Sequence, residues 1–195
     1  YTNTKPRQNT ECTITQRVLD EAGKMTDKQK KNLEALIAEK EQLIGCDIVI
    51  LTINEPGLDS YDEIRDYAQA YYEDNKFGWN KANGDGIIYV DDWATGYTWM
   101  CTTGLAKTRL DDTDTEQIVD SANEIVNDNP YEAYTSIVNN AATMIQTGRS
   151  SYVQINPMIV FLAAAVIGAI FVGVQLIGHG GKDTVVKSTY AKGGV

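Results

Sequence analysis

The chain has 195 residues, enough for one domain with an appendage, and 43% of them are hydrophobic, ordinary for a protein that buries a core. Charge is uneven: residues 1–150 hold 14 Lys/Arg against 26 Asp/Glu, whereas residues 182–195 hold three Lys against one Asp. An acidic body without clustered cations excludes nucleic acid as a partner, because such binding rests on displacing counterions with Lys and Arg.

Residues 1–14 are polar and aperiodic and predict an extended arm. The domain then runs over 15–148. "TDKQ" (Thr26–Gln29) places a capping hydroxyl three residues before Gln, a helix start that gives two orphan backbone N–H groups acceptors. Leu33, Leu36, Ile37, Leu43 and Ile44 follow at helical spacing, and Gly45 stops the run. "CDIVILTI" (46–53) is a near-continuous β-branched run, suited to a strand covered on both faces. "SYDE" (Ser60–Glu63) opens a second helix carrying Ile64, Tyr67, Ala68, Tyr71 and Tyr72, aromatic spacing that reads as core packing.

"NGDG" (83–86) leads into the strand "GIIYV" (86–90), and "GYTWMCTT" (96–103) returns after a turn at "DDWATG". "TDTE" (Thr113–Glu116) and "NPYE" (Asn129–Glu132) cap two more helices. Their apolar faces are Ile118, Val119, Ala122, Ile125 and Val126, then Tyr134, Ile137, Val138, Ala141 and Ile145. The order is helix, strand, helix, strand, strand, helix, helix. A βαβ crossover makes the first two strands parallel, and the hairpin adds the third antiparallel. The expected fold class is α/β: a three-layer α/β/α sandwich with a small mixed sheet, plus one C-terminal transmembrane helix.

That helix rests on "MIVFLAAAVIGAIFVGVQLI" (158–177), 20 residues without a charge and with no polar face. At 1.5 Å per residue the run is ~30 Å long, the thickness of the hydrocarbon core. The expected span is 158–178, preceded by a linker, 149–157, and followed by a basic tail, 179–195, that continues further. Lys182, Lys187 and Lys192 follow the span and only Arg149 lies close before it. The positive-inside rule then sets the tail in the cytoplasm and the acidic domain outside, which calls for an upstream signal peptide.

Ligands of open α/β sheets gather beyond the carboxyl ends of the parallel strands. Here those ends carry Glu55 after the first strand and the pair Asp91-Asp92 after the second. Carboxylates from neighbouring loops can hold Ca²⁺ or another divalent cation through oxygen ligands. The alternative is a solvated hairpin turn, where Asp serves as a backbone cap. Nucleophilic catalysis finds no support: the single histidine is His179, beyond the domain, so no Ser–His–Asp or Cys–His set can form within it. The residue six after Cys101 is Lys107, so no Cys-x5-Arg phosphatase loop is present. Cys12, Cys46 and Cys101 follow no zinc spacing; burial as small hydrophobes and a single disulfide are both open.

The order of motifs resembles the TPM domain family. "RVLDEAGKMTDKQKKNLEALI" is similar to that family's opening, a Val-x-Asp-x-Ala-Gly segment before a capped helix, and "GCDIVILTI" to its first strand. "FGWNKANGDGIIYVDD" resembles its Trp-Gly loop and second strand, and "GYTWMCTTGLA" its third strand with a Gly-x-Gly-Leu-Glu end. The resemblance implies a sandwich domain outside the cytoplasm or in a thylakoid lumen. It also implies accessory roles in photosystem repair or at a membrane receptor, and for some members a metal-linked acid phosphatase. Asp20 matches the opening Asp, Asp85-Gly86 the Asn-Gly position, and Gly104 the second Gly; Thr102 and Ala106 depart from the pattern. The candidate metal ligands are therefore Asp20, Glu55, Asp85, Asp91 and Asp92. The expected function is a membrane-anchored, non-enzymatic accessory module for a membrane-protein complex, with a metal-dependent phosphatase-like hydrolase as the rival.

Overall fold

Asp47–Ile53 is buried at every position, and it forms the inner strand β2. The computed structural model describes residues 1–147, so Gly148, the linker 149–157, the span 158–178 and the tail 179–195 lie outside the described residues. Among the described residues no helix is long and apolar enough to cross a membrane.

Two parallel neighbours flank β2: β1 (Val18–Asp20) on one side and β3 (Gly86–Asp92) on the other. β4 (Thr98–Thr103) adds to β3 antiparallel and ends the sheet, giving the order β1-β2-β3-β4. The expected three strands are thus corrected to four. β1 has three residues, too few for a two-residue period to register. The strand expected over 86–90 also extends to Asp92, because Asp91 pairs with Thr98 and the Asp92 amide donates to Tyr97 at 2.9 Å. The turn is therefore 93–96, with Gly96 at φ 84°, a left-handed conformation that glycine adopts at little cost.

The helices start at the expected caps, with one exception. α1 (Asp27–Ile44) opens on a complete Thr26/Gln29 capping box and stops at Gly45, φ 68°. α2 (Tyr61–Asp74) is capped by Ser60. A short α3 (Gly104–Arg109), too brief to show a period, was not among the four expected helices. α4 (Asp112–Asn123) corrects the cap expected at Thr113: Asp111 accepts from the Asp114 amide at 3.0 Å, and Asp114 answers to the Asp111 amide at 3.0 Å. Aspartate caps as well as threonine does, and this box starts the helix two residues earlier than expected. α5 (Pro130–Thr147) begins after Asn129, whose side chain exchanges hydrogen bonds with Glu132.

Alternation along β2 and β3 divides the core into two. Ile48, Ile50, Ile87 and Tyr89 face α1, α3, α4 and α5. Val49, Leu51, Ile53, Ile88 and Val90 face α2, together with Cys12 and Ile14 of the arm. The architecture is an α/β/α sandwich with a mixed sheet. The three cysteines are free thiols, and Cys46 is fully buried just before β2.

Residues 1–14 carry no helix or strand, and residues 3–9 of this arm lie against the amino end of the sheet. The Asn3 amide donates to Leu43 at 2.8 Å, and the Asn9 side chain donates to Lys76 and Gly78 carbonyls at 2.7 and 2.8 Å. Arg7 pairs with the fully buried Asp47, which also accepts from the Gly78 amide at 2.7 Å. A buried charge is tolerated when paired and hydrogen-bonded, and the Asp47 carboxylate meets that condition.

Candidate functional site

The carboxyl ends of β1, β2 and β3 carry Asp20, Thr52 and Asp91 in one register row, Asp20 opposite Thr52 and Thr52 opposite Asp91. Residues in register on parallel strands point to one face. The row thus continues the Ile50 and Tyr89 side of the sheet, toward α1 and α5. Asp20 and Asp91 are two strand spacings apart, roughly 10 Å between Cα atoms.

Each carboxylate in the row has local partners. Asp20 Oδ1 accepts from the Thr52 hydroxyl at 2.6 Å and the Lys24 amide at 2.9 Å, and Oδ2 accepts from the Met25 amide at 2.9 Å. It thereby fastens the 21–25 turn onto the head of α1. Asp91 is fully buried and accepts from the Tyr134 hydroxyl at 2.7 Å. That hydroxyl in turn accepts from Trp93 Nε1 at 3.0 Å. Burial pushes the Tyr134 phenol far above its ordinary range, and the Asp91 charge pushes it further, so Tyr134 stays a donor. The Lys24 ammonium lies 4.1 Å from the Trp93 ring centre, which sets a cation–π contact at this edge.

Asp92 points to the opposite, α2 side of the sheet and is fully buried. Its Oδ1 accepts from the Glu55 amide at 2.9 Å and the Ala94 amide at 3.0 Å, and its Oδ2 from the Thr95 hydroxyl at 2.6 Å. It ties the β2–α2 loop to the β3–β4 turn. Glu55 itself is exposed. Asp85 sits at the far end of β3, where its Oδ1 accepts from the Leu105 amide at 2.8 Å. Seven strand residues at ~3.3 Å each put it ~20 Å from Asp92. The fold thus brings Asp20 and Asp91 to one face of one edge, places Asp92 and Glu55 at the same edge on other sides, and sends Asp85 to the opposite end. Among the described residues no group of three or more His, Cys, Asp or Glu side chains is arranged to hold a metal ion.

The sequence reading of a solvated turn at Asp91-Asp92 is corrected as well: both residues close a buried strand end. Tyr134 sits 43 residues from Asp91 and Glu55 37 from Asp92, beyond any local pattern, whereas Ala94 and Thr95 give Asp92 the local turn cap expected of an Asp there. Thr52 and Tyr134, which complete this edge, carry no local motif; Tyr134 shows only as a core-spaced residue of its helix. Two cysteines are unsuited to nucleophilic work. Burial pushes the Cys46 thiol up to about 12, with the Asp85 charge adding to it, and the Cys101 thiol up to about 11.

Comparison with known proteins bears on the fold and the family. The TPM domain family matches residues 18–144. Among solved structures, the BA42 protein of the psychrophilic bacterium Bizionia argentinensis aligns with a TM-score of 0.53 at 12% identity, over 63% of this chain and 82% of that one. The N-terminal domain of the cg2496 protein of Corynebacterium glutamicum aligns with a TM-score of 0.49 at 14% identity, over 77% of this chain and 92% of that one. No curated protein matches the chain. The likeness to BA42 concerns the fold alone, and the match over 18–144 carries the assignment: the chain belongs to the TPM domain family.

Proposed function

We propose that the chain is a non-enzymatic interaction module, anchored by the 158–178 span, that supports a membrane-protein complex from outside the cytoplasm. The observation that carries this reading is the state of the carboxylates at the ligand edge. Asp20, Asp91 and Asp92 accept internal N–H and O–H donors and act as structural clamps. The nine-residue stretch 149–157 would keep the acidic body close to the bilayer, where a membrane partner is within reach. Cross-linking of the full chain in intact membranes tests the proposal: a recurring membrane-protein adduct supports it, and none would count against it.

A second reading, divalent-cation binding, is favoured by the one row that puts Asp20 and Asp91 on a single face of the carboxyl edge. A cation that binds only the native state raises its melting temperature by mass action. A Ca²⁺ titration of the melting curve that is flat, or unchanged in Asp20→Asn, removes this reading. The phosphatase-like rival requires the same row. Phosphate-ester hydrolysis that depends on added divalent cation and is lost in Asp20→Asn and Asp91→Asn would favour it over the accessory role.

A further inference from the structure

β4 is the outer strand of the sheet on the β3 side, and its open flank is the floor of a groove of ≈ 380 Å³. The Asp92 amide donates to the Tyr97 carbonyl, which makes that pair a hydrogen-bonded one. Hydrogen-bonded and non-hydrogen-bonded pairs alternate along an antiparallel ladder. The ladder therefore turns the backbone N–H and C=O of Thr98, Met100 and Thr102 outward. All three line the groove, and among the described residues no hydrogen bond to these outward groups closes the edge. A row of open backbone groups is a template for one more strand.

The groove also has a charge. α4 runs back along β4, with Asn123 near its end donating to the Thr98 hydroxyl at 3.3 Å. Asp112, Glu116 and Asp120 of α4 line the groove. They recur every four residues, so they form a stripe with a repeat of ~6 Å. Alternate side chains of an extended chain repeat every ~6.7 Å, close to that stripe. The groove's own cation is Arg65, which Asp62 and Asp66 hold at 2.6 and 2.9 Å. Its charge is thus matched on α2, and the lining of the groove is acidic on balance.

We infer that this groove takes an extended segment of another polypeptide, bearing Lys or Arg at alternate positions, as a fifth strand beside β4. The inference rests on the interaction-module reading and names its surface. A second copy fits less well, because two β4 edges would bring two acidic stripes together. The chain's own tail, which also carries lysines, is the occupant to be distinguished.

The test uses the full chain in lipid nanodiscs and a fluorescein-labelled octapeptide of alternating Lys and Val, blocked at both ends, followed by anisotropy. Saturable binding is expected, weakened at least about tenfold by N-methylation of every backbone amide, the effect of losing one or two net hydrogen bonds. A Glu/Val octapeptide is expected to bind at least about tenfold more weakly, and combined Asp112→Lys and Glu116→Lys to erase that preference. Thr102→Pro removes one outward N–H at a position where an edge strand tolerates proline, and should weaken binding about tenfold. If that variant does not fold, the N-methylated peptide on the native chain decides alone. Absent saturable binding, or equal binding of the N-methylated peptide, overturns the inference. So does peptide binding that appears only when the chain is shortened before Lys182, which assigns the groove to the tail, or peptide-competed self-association. A native chain and Thr102→Pro that cross-link equally to one membrane partner overturn the groove and leave the interaction module standing.

Discussion

Arg17 and Glu41 meet at 2.8 Å beneath the N-terminal arm, both buried, with Asp47 3.6 Å from the same guanidinium. The Ile48 amide also donates to Glu41, at 2.8 Å, so one carboxylate joins α1, β2 and the chain leading into β1. Burial pushes the Glu41 carboxyl up from 4.5 to about 7; Asp47 pushes the same way, while Arg17 and the Ile48 amide pull it down.

A pH dependence follows. The folded state holds the Glu41 proton more tightly than the unfolded state does, so it carries more protons between pH 4.5 and about 7. The stabilisation from this group is full below that window and is lost as pH rises through it. Thermal unfolding across the window should show the native chain losing melting temperature relative to Glu41→Gln as pH rises. Parallel curves contradict the prediction.

Asp92 holds three donors from two loops, so Asp92→Ala leaves buried donors without this acceptor. The expected cost is about 3 kcal/mol in denaturant unfolding. Asp92→Asn, which keeps a carbonyl acceptor, should recover part of it. A cost below about 0.5 kcal/mol for Asp92→Ala, the range of an ordinary surface change, contradicts the clamp.

Tyr134→Phe removes the donor to Asp91 and the acceptor for Trp93 Nε1 while keeping the ring. The unfolding free energy should fall by about 2 kcal/mol. Trp93 should report it locally through a shift in its emission. An unchanged denaturation midpoint contradicts the account of this edge.

Arg7 fastens the arm through Asp47, so Arg7→Ala should loosen it without unfolding the body. The amides of Gln8 and Asn9, which donate to the Trp79 carbonyl at 2.9 and 3.1 Å, should exchange with deuterium at least about tenfold faster. Lys5→Ala, at an exposed position, should leave them unchanged.

Much of this fold is legible because its signals are local. The caps Thr26, Ser60 and Asn129 and the stop at Gly45 each act within four residues. The β-branched run that becomes β2 declares its burial by composition. What escaped the sequence reading acts at a distance or over too few residues. β1 and α3 are shorter than a pattern needs. Asp111 displaced Thr113 as a cap because both suit the position, and only the true helix start separates them. Arg7 and Asp47 are 40 residues apart, and Asp91 and Tyr134 are 43. The acidity of Asp91-Asp92 therefore read as a wet turn, although Tyr134 from afar for Asp91, and Glu55 from afar with Ala94 and Thr95 nearby for Asp92, let both carboxylates sit fully buried. Asp85 drops out of the candidate set for a similar reason: it is six residues from Asp91 in sequence, but the length of a strand away in space.

Lysine-reactive cross-linking of the full chain in intact membranes, read at peptide level by mass spectrometry, tests the interaction module most directly. The account predicts recurrent links from body lysines such as Lys31, Lys81 and Lys107 to the extracytoplasmic side of one membrane-protein complex. Links confined to the chain itself, across repeated preparations, would contradict it.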